Sequence, residues 1–130
     1  MCPFAAKQGD QVVATDIHFI IPPPPATGTI PVPHPFTGII DGGLSSDVQI
    51  EGRPAATVNS TATNTPPHIP IGGTFANPPS NKGTIILGSA TVLINGKGAA
   101  RMGDTVRTCN DPVDQPVGTV IAASTVDIGG

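Results

Sequence analysis

The 130-residue chain contains no Trp, no Tyr and only four Phe. Its core must therefore be aliphatic and thin for the length. The aromatic platforms that a carbohydrate-binding surface would present are missing. Charge is scarce as well: Asp, Glu, Lys and Arg make up 12% of the residues, with a net charge of −3, about half the usual charged fraction. That balance gives no reason to expect a nucleic-acid partner. No apolar run approaches the roughly 20 residues of a membrane helix. The N-terminal MCPFAAKQGDQ lacks the apolar stretch of a signal peptide, so the expectation is cytoplasmic synthesis without Sec export. Two cysteines, Cys2 and Cys109, are too few for a disulfide framework. In a reducing compartment they are free thiols or metal ligands.

What the chain has in abundance is Gly and Pro, 16 of each. With 38% hydrophobic residues and so little charge, that excess does not read as charge-driven disorder. Seven prolines fall between Pro22 and Pro35, and none between Phe36 and Arg53 or between Ser80 and Asp111. The proline-free windows hold short runs rich in β-branched residues, at Asp47–Glu51, Gly83–Leu87 and Thr91–Asn95, and a fourth follows at Gly118–Ala122. Each is bounded by Gly, Asn or Pro. No segment shows helical periodicity. The reading is one all-β domain, residues 1–130, with long Pro/Gly-rich loops.

An internal repeat organises these runs. EGRPAATVNSTATNT from Glu51 aligns with NGKGAARMGDTVRTC from Asn95, 44 residues later. Gly52 meets Gly96, Ala55–Ala56 meet Ala99–Ala100, and upstream Val48 and Ile50 meet Val92 and Ile94. The N-terminus supplies a third copy, in which Ala5-Ala6-Lys7-Gln8-Gly9-Asp10 matches Ala99-Ala100-Arg101-Met102-Gly103-Asp104. Three units, around 5–18, 48–68 and 92–112, predict pseudo-threefold symmetry. A single chain of that shape could cap a trimer.

The repeat also places the chemistry. His18 and His68 each lie 13 residues after the first alanine of their units, so they should occupy equivalent places. The third unit has Pro112 there, with Cys109 three residues earlier. His34, between prolines in VPHPF, comes from the first long loop. Three imidazoles and a thiolate from four separated segments suit tetrahedral Zn2+ better than iron. A metal joining these loops would supply stability that a thin core lacks. Cys2 is the competing thiol, disfavoured by its place at a frayable terminus. The only Glu, Glu51, is read in a strand away from the histidines, so a zinc hydrolase lacks an obvious general base. The run Pro22–Pro25 reads as a stiff loop rather than a partner's ligand.

Gly52-Arg53-Pro54-Ala55-Ala56, INGKGAARMGDTV and NTPPH resemble the motifs of PAAR-repeat proteins. The Pro-Ala-Ala-Arg tetrad itself is split: the middle copy has Pro-Ala-Ala-Thr and the last has Gly-Ala-Ala-Arg. The resemblance implies a small conical all-β fold with three β-hairpins about a pseudo-threefold axis. It implies a structural zinc held by three His and one Cys, which fits His18, His34, His68 and Cys109. It implies a tip that sharpens the trimeric VgrG-type spike of a contractile injection system, type VI secretion or a related phage-tail-like particle. One tip chain would sit on each trimer, aiding membrane puncture, carrying effector cargo, touching the target membrane transiently and leaving the cell with the particle. The chain ends at Gly130, so cargo would be bound non-covalently. No turnover is expected. The alternatives are a small zinc hydrolase, which needs an open metal position and a base, and a surface binding module.

Overall fold

The computed structural model describes residues 3–129. Eleven strands follow one another: β1 (Gln11–Ile21), β2 (Ile30–Gly42), β3 (Gln49–Ile50), β4 (Arg53–Pro54), β5 (Thr61–Asn64), β6 (Thr74–Phe75), β7 (Lys82–Ile85), β8 (Leu93–Ile94), β9 (Lys97–Gly98), β10 (Thr105–Thr108) and β11 (Gln115–Ile121). There is no helix among the described residues. β1, β2, β5, β7, β10 and β11 pair antiparallel in that circular order, and β11 returns to β1, so the sheet closes into a six-stranded barrel. Closure removes the exposed edges that so short a sheet would otherwise present. Four of the two-residue strands form small hairpins, β3 with β4 and β8 with β9, and the fifth, β6, pairs with the end of β1.

The barrel is three copies of one hairpin, β1–β2, β5–β7 and β10–β11. Each copy opens with the same tight turn. Gly9, Asn59 and Gly103 have φ of +90°, +77° and +90°, the left-handed region that Gly and Asn tolerate best. Their N–H groups donate to the equivalent carbonyls of Ile40, Ile85 and Val120. Asp10, Ser60 and Asp104 close the turns by accepting from the backbone N–H of Lys7, Thr57 and Arg101. Just before the turns the alanine pairs meet at the axis. Ala6 N–H donates to Ala100, Ala100 to Ala56 and Ala56 to Ala6, at 2.9–3.0 Å. This closed ring of three hydrogen bonds is the expected pseudo-threefold axis, and only small side chains let three backbones approach so closely.

Two apolar layers stack along that axis. Ala5, Ala55 and Ala99 pack with Ile50, Ile94 and Ile128 at one end. Ala6, Ala56 and Ala100 face the barrel core of Val12, Phe36, Ile40, Ile85, Val106 and Val120. Ile128 completes the first unit from the far end of the chain: Ala5 N–H donates to Val126, as Ala55 does to Val48 and Ala99 to Val92. The first repeat is thus assembled from both ends of the described chain.

The all-β, threefold reading is what the structure has, but two of its parts are corrected. The longest strand, β2, lies where proline density suggested loop, and β1 before it contains no proline. Pro31, Pro33 and Pro35 alternate along β2 and are exposed. At those positions β2 is bonded to β1 alone, because β5 joins it only at Gly38–Gly42. A period-2 spacing turns all three missing donors to the open edge, where a strand tolerates proline. Glu51 lies in a turn rather than a strand, with φ +52°, as does its counterpart Asn95 with φ +54°. Each is followed by Gly at φ +79°, the pairing that two-residue hairpin turns require.

Candidate metal centre

Strand alternation builds the site inside the barrel. Along β1 the inward positions are Val12, Ala14, Asp16, His18 and Ile20. Along β2 they run His34, Phe36, Gly38 and Ile40. The apolar core therefore gives way, toward the end away from the alanine ring, to a buried polar layer. His34 stands on β2, not in a loop as expected.

The other two residues arrive from loops that side chains fasten to the strands. Past β10, Asn110 Oδ1 accepts from Ile17 N–H and Asp111 Oδ2 from Phe19 N–H, at 2.7 Å each. These side chains stand in for backbone partners and hold Cys109 against β1. Past β5, Asn81 Oδ1 accepts from the His68 backbone N–H at 2.8 Å and from Asn64 at 3.2 Å. Asn64 in turn accepts from Thr37 N–H on β2.

His18, His34, His68 and Cys109 are all buried, at 1, 1, 9 and 3% exposure, and they converge. The imidazole centroids lie 4.9 Å apart for His18–His68, 5.5 Å for His18–His34 and 5.7 Å for His34–His68. Cys109 Sγ is 3.7 Å from His18 Nε2. Phe75, brought over the site by the pairing of β6 with Ile20–Ile21, packs edge-on against His18 and tilted against His34. A cleft of about 280 Å3 reaches His34 and His68 from outside. Its walls are largely apolar, among them Pro35, Pro66, Pro67, Ile69 and Ile71.

The sequence reading missed one member of this cluster. Asp16 is fully buried. Its Oδ2 lies 2.8 Å from His68 Nε2 and 3.5 Å from Cys109 Sγ, and its Oδ1 accepts from Thr108 and Asn110. Asp16, His18, His68 and Cys109 each offer a ligand atom within 4.8 Å of the others; His34 stands outside that group and adjoins it through its ring's approach to His18 and His68. The carboxylate that a hydrolase reading found absent is therefore present. It is enclosed and already hydrogen-bonded, however, rather than facing an open position. Cys2, the competing thiol, lies outside the described residues.

The donor set fits a divalent metal. His34 Nδ1 is 2.8 Å from the Val32 carbonyl, a contact that requires Nδ1–H and leaves the Nε2 lone pair free. His34 Nε2 and His18 Nδ1 are buried with no hydrogen-bond partner, a state that costs about 1–3 kcal/mol per group when nothing satisfies it. The His18 nitrogen faces Asp111 Oδ2 at 3.6 Å, beyond hydrogen-bond reach. Burial, reinforced by the neighbouring His68, lowers the His18 pKa from its ordinary value, so His18 is neutral, the form that ligates. Burial, with the Asp16 carboxylate adding to it, pushes the Cys109 thiol up to about 11. Without a cation it stays protonated, and a metal must displace that proton to bind the sulfur.

Residues 76–130 match the PAAR motif family model. No curated protein matches the chain. The matched stretch spans β7 to β11 and carries Ala99–Ala100, the Gly103 turn and Cys109. With the split tetrads and the ring of three alanines already in place, this match shows that residues 76–130 carry a PAAR motif.

Proposed function

We propose that the chain is a spike tip, a structural protein that caps a trimeric VgrG-type spike of a contractile injection system. The observation that supports this most strongly is the hydrogen-bonded ring of Ala6, Ala56 and Ala100, with its layer of Ile50, Ile94 and Ile128 beneath. Three identical chains ending side by side present three strand ends about a threefold axis. One chain folded as three near-equivalent units can meet all three at once by adding strands to them. The end that would dock carries exposed apolar groups, among them Phe4, Val92, Leu93 and Val126.

In this reading His18, His34, His68 and Cys109 hold one structural Zn2+ at the opposite end. A closed set of protein ligands adds stability without an open position for catalysis. A tip driven through a membrane needs resistance to local opening, and no turnover. The whole chain, 1–130, acts as one PAAR-repeat domain. It is assembled in the cytoplasm, carries effector cargo and leaves on the particle.

The reading predicts a complex of one chain with three spike chains. Native mass spectrometry of the purified chain mixed with its cognate spike measures that ratio. A spike trimer carrying three copies of the chain, or a spike that binds none, would count against a cap.

A further inference from the structure

The metal reading based on three imidazoles and one thiolate leaves Asp16 without a role. It also leaves a net positive charge inside the barrel, because a divalent ion with one thiolate and three neutral imidazoles carries +1. Burying a charge with no counter-charge is costly. Asp16 is the fully buried carboxylate beside the cluster. Asp111 is also near, but on the far side of His18, where Phe19 N–H already holds it.

The geometry of Asp16 is divided. Oδ1 is occupied by Thr108 Oγ1 and by Asn110 Nδ2. Those contacts turn Oδ2 toward His68 Nε2 and Cys109 Sγ. Two ligand atoms on one five-coordinate zinc, one of them sulfur, stand roughly 3.0–3.7 Å apart, given Zn–S near 2.3 Å and Zn–N or Zn–O near 2.0 Å. Cys109 Sγ lies 3.5 Å from Asp16 Oδ2 and 3.7 Å from His18 Nε2. The carboxylate oxygen is therefore as well placed around a shared ion as the imidazole is.

Building on the metal reading above, we propose that Asp16 is a further ligand of the same ion, through Oδ2. The centre would then hold three imidazoles, one thiolate and one carboxylate, with no net charge. On binding, His68 Nε2 gives up its contact with Asp16, and both turn to the metal. A hard oxygen donor also makes the site more accepting of Co2+ and Fe2+ than nitrogen and sulfur alone would be.

Co2+ is the probe, titrated into the full chain after chelation. The wild-type chain should show a thiolate-to-cobalt charge-transfer band and the weak d–d bands of five-coordination. Asp16→Asn keeps the shape and removes the charge. It should bind Co2+ at least about tenfold more weakly, with stronger d–d bands as the ion becomes four-coordinate. Unchanged affinity in Asp16→Asn, or weaker binding with an unaltered d–d spectrum, would reduce Asp16 to a buried hydrogen-bond acceptor and overturn the proposal. If Asp16→Asn does not fold, the carboxyl 13C resonance of Asp16 in the labelled wild-type chain decides. Zn2+ should move it well beyond the shift at Asp111, and a stationary resonance overturns the assignment. A wild-type chain that takes up no Co2+ refutes the metal centre itself, a failure distinct from that of Asp16 alone.

Discussion

Adding excess Zn2+ to the metal-free chain should raise its melting temperature by about 10–15 °C, and Cys109→Ser should abolish the rise. A ligand that binds only the folded state at 100 to 1,000 times its dissociation constant contributes about 2.7–4.1 kcal/mol. For a domain of this length the unfolding entropy near the midpoint converts that into about 10–15 °C. The residues say why the folded state should bind and the unfolded one should not. β1 delivers His18, β2 delivers His34, and two loops pinned by Asn81, Asn110 and Asp111 deliver His68 and Cys109. In the unfolded chain these groups are separated by up to 91 residues. In the folded one they meet, and His34 Nε2 is buried without a partner. Cys109→Ser leaves the shape of the site nearly intact but replaces the soft thiolate with a hydroxyl that holds its proton at neutral pH. Scanning calorimetry of both chains, with and without Zn2+, reads the difference. A Cys109→Ser chain stabilised by Zn2+ as strongly as the wild type would move the thiol ligand elsewhere, with Cys2 the remaining candidate.

Phe36→Ala should cost about 3–5 kcal/mol, a large share of the 5–15 kcal/mol by which domains are usually stable. Phe36 is 1% exposed and fills the barrel where the three hairpins each turn a glycine inward, at Gly38, Gly83 and Gly118. These glycines are what make room for contents. A Cβ on Gly38 would come within 2.6 Å of the Phe36 ring, and one on Gly118 within 2.9 Å of Thr108. Removing the ring leaves a space bordered by Gly38, which has no side chain to lean into it, so the cavity should persist rather than collapse. Urea unfolding should show a lower midpoint with an unchanged slope. A loss below about 1 kcal/mol would mean that the hairpins close over the gap.

The threefold plan was legible because it lives in local rules that repeat. Positive φ at Gly9 and Gly103 needs Gly, and the close approach at the axis needs Ala, so both appear as letters at fixed spacing. The middle copy substitutes Asn59 for the turn glycine, which weakens the match without changing the geometry. Ile128 escaped because it completes the first repeat from the opposite end of the chain. No constant offset relates it to Ile50 and Ile94.

The two long strands were illegible for opposite reasons. β2 carries alternate prolines, and only the pairing pattern reveals that its proline edge is unpaired. β1 alternates correctly, but its inward set includes Asp16 and His18, so the buried polar layer erases the hydrophobic period that marks a strand. The histidines were found because two of them share a repeat position. Asp16 shares none. Its burial depends on Thr108 and Asn110, more than 90 residues away, and an Asp in Thr-Asp-Ile carries no local sign of that.

Elemental analysis of the untagged, purified chain is the direct test of a metal centre at the polar end of this barrel. The wild-type chain should carry one zinc, and Cys109→Ser none. A wild-type chain that is folded by circular dichroism yet contains no metal would contradict it, and the spike-tip reading would then stand on the threefold ring and the PAAR motif alone.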